Sequence, residues 1–171
     1  MREIRIEKVT INVGTKEDAD VLNRAVFMIK KITGKDGVIT TTHKRTTFGG
    51  AKNRKIGCKI TLRGDEAKEF LLNALKAVDN RIKPTQFDRT GNFAFGVKEY
   101  INMPGMKYDP DIGILGFDVI VTLKRPGFRV KKRKLKAAKV GKKHLIPPEE
   151  SIEWAKKELN INVTEEVEEK W

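Results

Sequence analysis

With 171 residues the chain is long enough to bury one real core and hardly long enough for two. Its residues are 39% apolar and 35% charged with a net charge of +13, which implies a small core under a heavily charged surface. A single cysteine, Cys58, excludes an internal disulfide framework, no apolar run approaches a membrane span, and the N-terminal segment has no signal-peptide core, so a cytoplasmic protein is expected.

Residues 4–13 alternate, with Ile4, Ile6, Val9, Ile11 and Val13 set against Arg5, Lys8, Thr10 and Asn12 and a slip near Glu7. This pattern predicts a strand with one wet face, ended by Gly14. The next segment puts Leu22, Ala25, Val26, Ile29 and Ile32 on one helical stripe, with Gly34 as the C-cap. Residues 38–45 and 56–63 read as the second and third strands, joined by a hairpin whose tip is expected to be mobile. Cys58, Ile60 and Leu62 point one way along the third strand, and Lys59, Thr61 and Arg63 the other.

Asp65 is placed to cap a second helix, on which Phe70, Leu71, Ala74, Leu75 and Val78 recur at helical spacing. A turn-rich segment leads to a fourth strand over 93–101. Pro104, Gly105, Pro110 and Gly113 then break the chain ahead of a fifth strand over 116–124. Residues 125–144 have too little apolar periodicity to pack on their own. A short acidic helix over 149–159 turns Ile152, Ala155 and Leu159 inward, and the last residues fray. The order βαββαββ predicts a single α+β domain: an antiparallel-rich sheet with helices on one face and a polar face exposed.

The charge is segregated. Between Asp36 and Asp65 there are seven Lys/Arg and no acid, and between Asp118 and Glu149 there are eleven and again no acid. The rest of the chain is a mildly acidic body that carries these two concentrated cationic segments. That is the electrostatic footprint of a polyanion binder. The predicted wet face agrees. Lys8, Thr10 and Asn12, then Lys59, Thr61 and Arg63, then Thr122 and Lys124 suit phosphate oxygens and ribose hydroxyls.

Other chemistry fits poorly. A phosphate-cradling P-loop needs GxxxxGK[ST] before a helix, whereas Gly49, Gly50 and Gly57 lead into Cys58, Lys59 and a strand. His43, Cys58 and His144 are the only soft metal ligands, and they are widely spaced. Asp88, Glu99, Asp109, Asp111 and Asp118 are scattered carboxylates that assemble no acid–base pair, so neither an enzyme nor a bound cofactor is expected. The wet face lacks the aromatic platform of single-strand readers; Phe48, Phe93, Phe95 and Phe128 are the few rings available to stack on bases. Membrane-surface binding through 124–143 lacks an apolar helical face. A general RNA-binding module, such as a chaperone, is one reading of these features.

IEKVTINVG, ITGK, TTHKRTTFGGAKNRKIGCKITLRG, FDRTGNFAFGVKEYI and YDPDIGILGFDVIVTLKRPGFR follow one another in an order that resembles the L-five family of large-subunit ribosomal proteins, over nearly the whole chain. The basic extension is similar to that of the archaeal and eukaryotic branch. The resemblance implies a non-catalytic component of the ribosome's central protuberance that binds 5S rRNA through Lys8, Thr10, Asn12, Lys35, Lys59, Thr61 and Arg63. The family's contacting Asn and Thr fall on Asn12 and Thr61, and Lys35 stands where many relatives have Gln. The hairpin residues Thr46, Thr47, Phe48, Gly49, Gly50, Ala51, Lys52, Asn53, Arg54 and Lys55 correspond to the loop that meets P-site tRNA. Lys124, Arg125, Arg129, Lys131, Lys132, Arg133 and Lys134 are expected as further rRNA contacts. Large-subunit rRNA, a neighbouring 5S-binding ribosomal protein and a small-subunit head protein across an intersubunit bridge complete the expected partners; no membrane and no metal are expected.

Overall fold

The computed structural model describes residues 1–16, 18–45 and 51–163. Strands β1 (Arg5–Gly14), β2 (Val38–Thr41), β3 (Lys55–Leu62), β5 (Phe93–Val97) and β6 (Phe117–Lys124) form one antiparallel sheet in the order β2-β3-β1-β6-β5. The N-terminal strand thus lies at the centre, with β3 on one side and β6 on the other. The slip in its alternation near Glu7 is a register irregularity between Ile6 and Lys8 against β6. A bulge of this kind lets the apolar set keep one face on both sides of the extra residue.

One sheet face is the core. Val9, Ile11 and Val13 from β1, Ile60 and Leu62 from β3, and Val119, Val121 and Leu123 from β6 are all buried there. Helices α1 (Ala19–Thr33) and α2 (Asp65–Lys76) cover them with Leu22, Ala25, Met28, Ile29, Phe70, Leu71, Ala74 and Leu75. Asp18 caps α1, accepting from the Asp20 and Val21 amides at 3.0 and 3.4 Å. Gly34 closes it as expected: its φ of 69° is left-handed, and its N–H donates to Lys30 O at 2.8 Å.

Several boundaries differ from the sequence reading, each for a local reason. Asp65 is the first residue of α2, not its cap; the cap position is Gly64, at φ 66° and ψ −142°, which a side chain would resist. β2 stops at Thr41, and at the next residue the Thr42 hydroxyl donates to Ala51 O at 2.7 Å. β5 stops at Val97, and Tyr100–Asn102 form a 3-10 turn with Tyr100 fully buried, its hydroxyl accepting from the Asp109 amide at 2.8 Å. The residues of the expected hairpin tip at Thr46, Thr47, Phe48, Gly49 and Gly50, and the expected frayed end beyond Val163, lie outside the described residues.

The C-terminal part is more tightly integrated than its composition implies. Helix α4 (Pro148–Leu159) buries Ala155 and Leu159 as predicted, but its third inward residue is Ser151, with Ile152 only half-buried. Ser151 Oγ donates to the Gly91 carbonyl at 2.6 Å, and a buried hydroxyl is tolerated only with such a partner. Beyond α4, β7 (Asn162–Val163) pairs in parallel with β4 (Arg81–Ile82), a short pair too small to leave a periodic signal.

Candidate nucleic-acid interface

Strand register shows what the open sheet face presents. Across β3, β1 and β6, Lys59 pairs with Asn12 and Asn12 with Asp118; one step on, Thr61 pairs with Thr10 and Thr10 with Ile120. Lys8 pairs with Thr122 at the far end, and β5 adds Ala94 beside Ile120 and Gly96 beside Asp118. Because successive side chains alternate faces, these residues share one surface, opposite the helices. Lys59, Thr61, Asp118 and Lys124 are exposed, while Lys8, Thr10, Asn12 and Thr122 are half-buried by their neighbours. Arg63 is exposed immediately beyond β3.

The structure therefore brings together Lys8, Thr10, Asn12, Lys59 and Thr61, with Arg63 and Lys124 at the margin. The sequence reading omitted Asp118 and Ile120 from this face. The signal was present, since the alternation that turns Thr122 and Lys124 outward turns these two outward as well. The face is accordingly mixed, with a carboxylate beside Asn12 and an aliphatic side chain beside Thr10.

Ion pairing separates the two sides of the sheet. On the helical side Lys30 meets Asp36 at 3.0 Å, Lys31 meets Asp109 at 2.6 Å and Lys35 meets Glu66 at 2.5 Å. Among the described residues, Lys8, Lys59, Arg63 and Lys124 form no ion pair. Unpaired cations on an otherwise hydrogen-bonding face are available to phosphates without first breaking a protein contact. Lys35 is not among them. Its ammonium engages the first turn of α2, so its head group belongs to the helical layer.

Residues of the basic extension divide in the same way. Arg125 is only 3% exposed, which corrects its place among the expected phosphate contacts. Its guanidinium donates to Leu145 O at 3.1 Å and pairs with the Glu150 carboxylate. Alternating from Leu123 and Lys124, its position turns inward, where a long cation can cross to α4. Arg129, Lys131 and Lys132 lie on a one-turn helix, α3 (Arg129–Lys132), and are exposed together with Arg133 and Lys134. Lys132 pairs with Glu7 on β1, and Arg133 Nε donates to Lys136 O at 2.8 Å. These contacts fold the extension back against the sheet as a basic arm.

At the hairpin, Ala51 is half-buried and Lys52, Asn53, Arg54 and Lys55 are exposed. The Asn53 N–H donates to Thr42 O and the Arg54 N–H to Thr42 Oγ1, at 2.9 and 3.1 Å. Asn53 adopts a φ of 63°, a conformation that asparagine tolerates. Thr42 thus fastens the returning limb of the loop to the outgoing one.

Of the aromatic residues singled out for stacking, Phe93 and Phe95 are core residues at 1% and 3% exposure, and Phe128 is half-buried with the His144 ring edge-on at 5.7 Å. Phe48 lies outside the described residues. Cys58 is buried, and that burial pushes its thiol pKa up. His43 is exposed, and His144 Nε2 lies 2.9 Å from Pro126 O. Among the described residues no three His, Cys, Asp or Glu side chains gather to hold a metal ion, and no helix is long and apolar enough to cross a membrane.

Comparison with known proteins places these features in one group. Residues 55–147 match the model for the C-terminus of the ribosomal L-five family, a stretch that spans β3, α2, β5, β6 and the basic arm. The chain is 45% identical over 168 residues to the large ribosomal subunit protein uL5 of Sulfurisphaera tokodaii, covering 96% of this chain and 94% of that one. It is 44% identical to the protein of the same name from Pyrobaculum aerophilum, covering 95% and 92%, and 40% identical to that from Methanobrevibacter smithii, covering 97% and 98%. The match thus runs through the open face, the hairpin and the arm alike, and the chain belongs to the L-five family of ribosomal proteins.

Proposed function

We propose that the open sheet face is an RNA-binding surface and that the RNA is 5S rRNA of the large ribosomal subunit. Family membership makes the chain a structural, non-enzymatic ribosomal protein acting in translation. The observation that supports the finer reading is the register of the open face, where Asn12 lies beside Lys59 and Thr10 beside Thr61, with cations that have no acidic partner among the described residues. Lysine and arginine supply salt-dependent affinity by displacing counterions, and the amide and hydroxyl groups fix register through short-range hydrogen bonds. In this reading the residues Thr46 to Lys55 contact P-site tRNA, and the arm residues Arg129, Lys131, Lys132, Arg133 and Lys134 meet further rRNA. A neighbouring 5S-binding protein and a small-subunit head protein are the protein partners.

The test is the affinity of Asn12→Ala and Thr61→Ala for 5S rRNA, measured by filter binding beside thermal melting. Each substitution removes about 1 kcal/mol of binding, a several-fold loss, with the melting temperature nearly unchanged. Wild-type affinity in both variants would remove the sheet face from the interface.

A further inference from the structure

The basic arm does more than add charge. Between it and the open sheet face lies a cleft of about 780 Å³, within the ~300–1,000 Å³ typical of sites that enclose a small ligand. Its sheet wall is formed by Lys8 and Thr122, which are paired across β1 and β6. Its arm wall carries Phe128, Lys131, Lys139 and Val140. The arm is held in this position by the pairing of Lys132 with Glu7 and by the Ala138 N–H donating to Val130 O at 3.2 Å.

Two properties of this cleft specify an occupant. Lys8, Lys131 and Lys139 have no acidic partner among the described residues, and the nearby Glu7 is already neutralised by Lys132. The cleft is therefore cationic. Phe128 and Val140 give it a flat, apolar portion, and the edge-on His144 ring fixes the phenyl group. A ligand that suits both properties has a planar unsaturated ring and an adjacent negative charge. The cleft also continues the face that carries Thr10 and Thr61, since its Lys8–Thr122 pair is the next outward-facing row of the sheet.

We propose that this cleft receives one unstacked nucleotide of the bound RNA, a reading that rests on the sheet face being the RNA surface. The base lies against Phe128 and Val140, the Thr122 hydroxyl meets the ribose, and Lys8, Lys131 and Lys139 hold the flanking phosphates. Stacking on an aromatic ring is tolerant of base identity, so the cleft selects an extruded nucleotide by shape more than by sequence.

The experiment uses the full chain and intact 5S rRNA, with affinity, ultraviolet crosslinking and circular dichroism measured together. Val140→Trp obstructs the apolar portion of the cleft beside Phe128 and lowers affinity about 10-fold, with loss of a nucleotide adduct on the peptide that contains Phe128 or Val140. Leu135→Trp adds the same ring to the arm at a residue 80% exposed and outside the cleft, and binds like the wild type. Lys139→Ala, an exposed position whose loss leaves packing intact, weakens binding about threefold. Wild-type affinity in a folded Val140→Trp variant, or an equal loss in Leu135→Trp, overturns the proposal while leaving sheet-face binding intact. Wild-type affinity in Asn12→Ala and Thr61→Ala instead overturns the sheet-face reading, and this one with it.

Discussion

Arg125 joins the end of β6 to the first turn of α4 by pairing with Glu150, although the two lie on opposite sides of the basic arm in sequence. The same guanidinium reaches the His144 and Leu145 carbonyls at 3.4 and 3.1 Å. Burial, with Arg2 nearby, lowers its pKa, but a guanidinium stays charged throughout the accessible pH range. Arg125 therefore closes the arm's two ends upon each other. Glu150→Ala strands a buried cation and lowers stability by about 2 kcal/mol, less than a fully enclosed pair would lose because the Glu150 side chain is 44% exposed. Urea unfolding measures this, and 5S rRNA affinity of the folded fraction should stay unchanged.

Two of the lysines assigned to RNA from sequence should behave differently. Lys59, beside Asn12, has no ion-pair partner among the described residues, whereas Lys35 sits 2.5 Å from Glu66 on the helical side. Lys59→Ala should reduce the salt dependence of 5S rRNA binding by about one unit of log–log slope, with weaker affinity at every salt concentration. Lys35→Ala should leave both unchanged. Equilibrium binding at several potassium concentrations distinguishes them, and equal effects would return Lys35 to the interface.

Gly91 is the junction of three elements. Its φ is +78°, its carbonyl accepts from Ser151, and an added Cβ would sit 2.7 Å from Ile146 Cγ2 and 2.9 Å from Ile146 Cβ. Ile146 is itself 1% exposed. Gly91→Ala therefore combines backbone strain with overpacking and costs about 2 kcal/mol, or a fall of about 5 °C in melting temperature for a chain of this size. Differential scanning calorimetry provides the check.

Asp88 gives the fold an acid-sensitive contact. Burial raises its pKa, but hydrogen bonds from the Thr90 amide and hydroxyl and from Asn92 Nδ2 outweigh that effect and hold it below the usual carboxylate value. A depressed folded-state pKa contributes stability above the unfolded value of about 3.9, and that contribution is lost as pH falls through the folded value. Asn92 also accepts from the Leu123 amide at 3.1 Å, so this turn is tied directly to β6. Asp88→Asn should flatten the acid limb of a stability–pH profile while lowering stability at neutral pH. An unchanged acid limb would show that other carboxylates dominate it.

The open face was legible because its chemistry is periodic. Lys8, Thr10 and Asn12 alternate with Val9, Ile11 and Val13, and a period of two survives translation into structure wherever one face is dry. Asp118 and Ile120 obey the same period, but neither matches the composition expected of a cationic face, and composition overrode parity in reading them. Arg125 illustrates the opposite error. It stands in an acid-free run of cations, yet its partner Glu150 is 25 residues away and leaves no local trace. Ser151, Gly91 and the β4–β7 pair were hidden for the same reason: each depends on one long-range contact. In residues 93–101 the alternation of Phe93, Phe95 and Val97 breaks at Lys98 and Glu99, and the buried Tyr100 that follows takes its place through a 3-10 turn, which its apolar character alone does not distinguish from a strand end.

The central place of β1 also governs the order in which this chain can fold. Arg5–Gly14 leave the ribosome before both of their neighbours, β3 at Lys55–Leu62 and β6 at Phe117–Lys124. Closing the second of these pairings joins residues more than a hundred positions apart, a topology that slows folding and delays completion of the core until most of the chain has been made. Until then the apolar side of β1 lacks its full cover, while its polar side already displays Lys8, Thr10 and Asn12. The proposed RNA contacts on β1 are therefore made well before β6, and their place in the finished sheet is set only when β6 arrives.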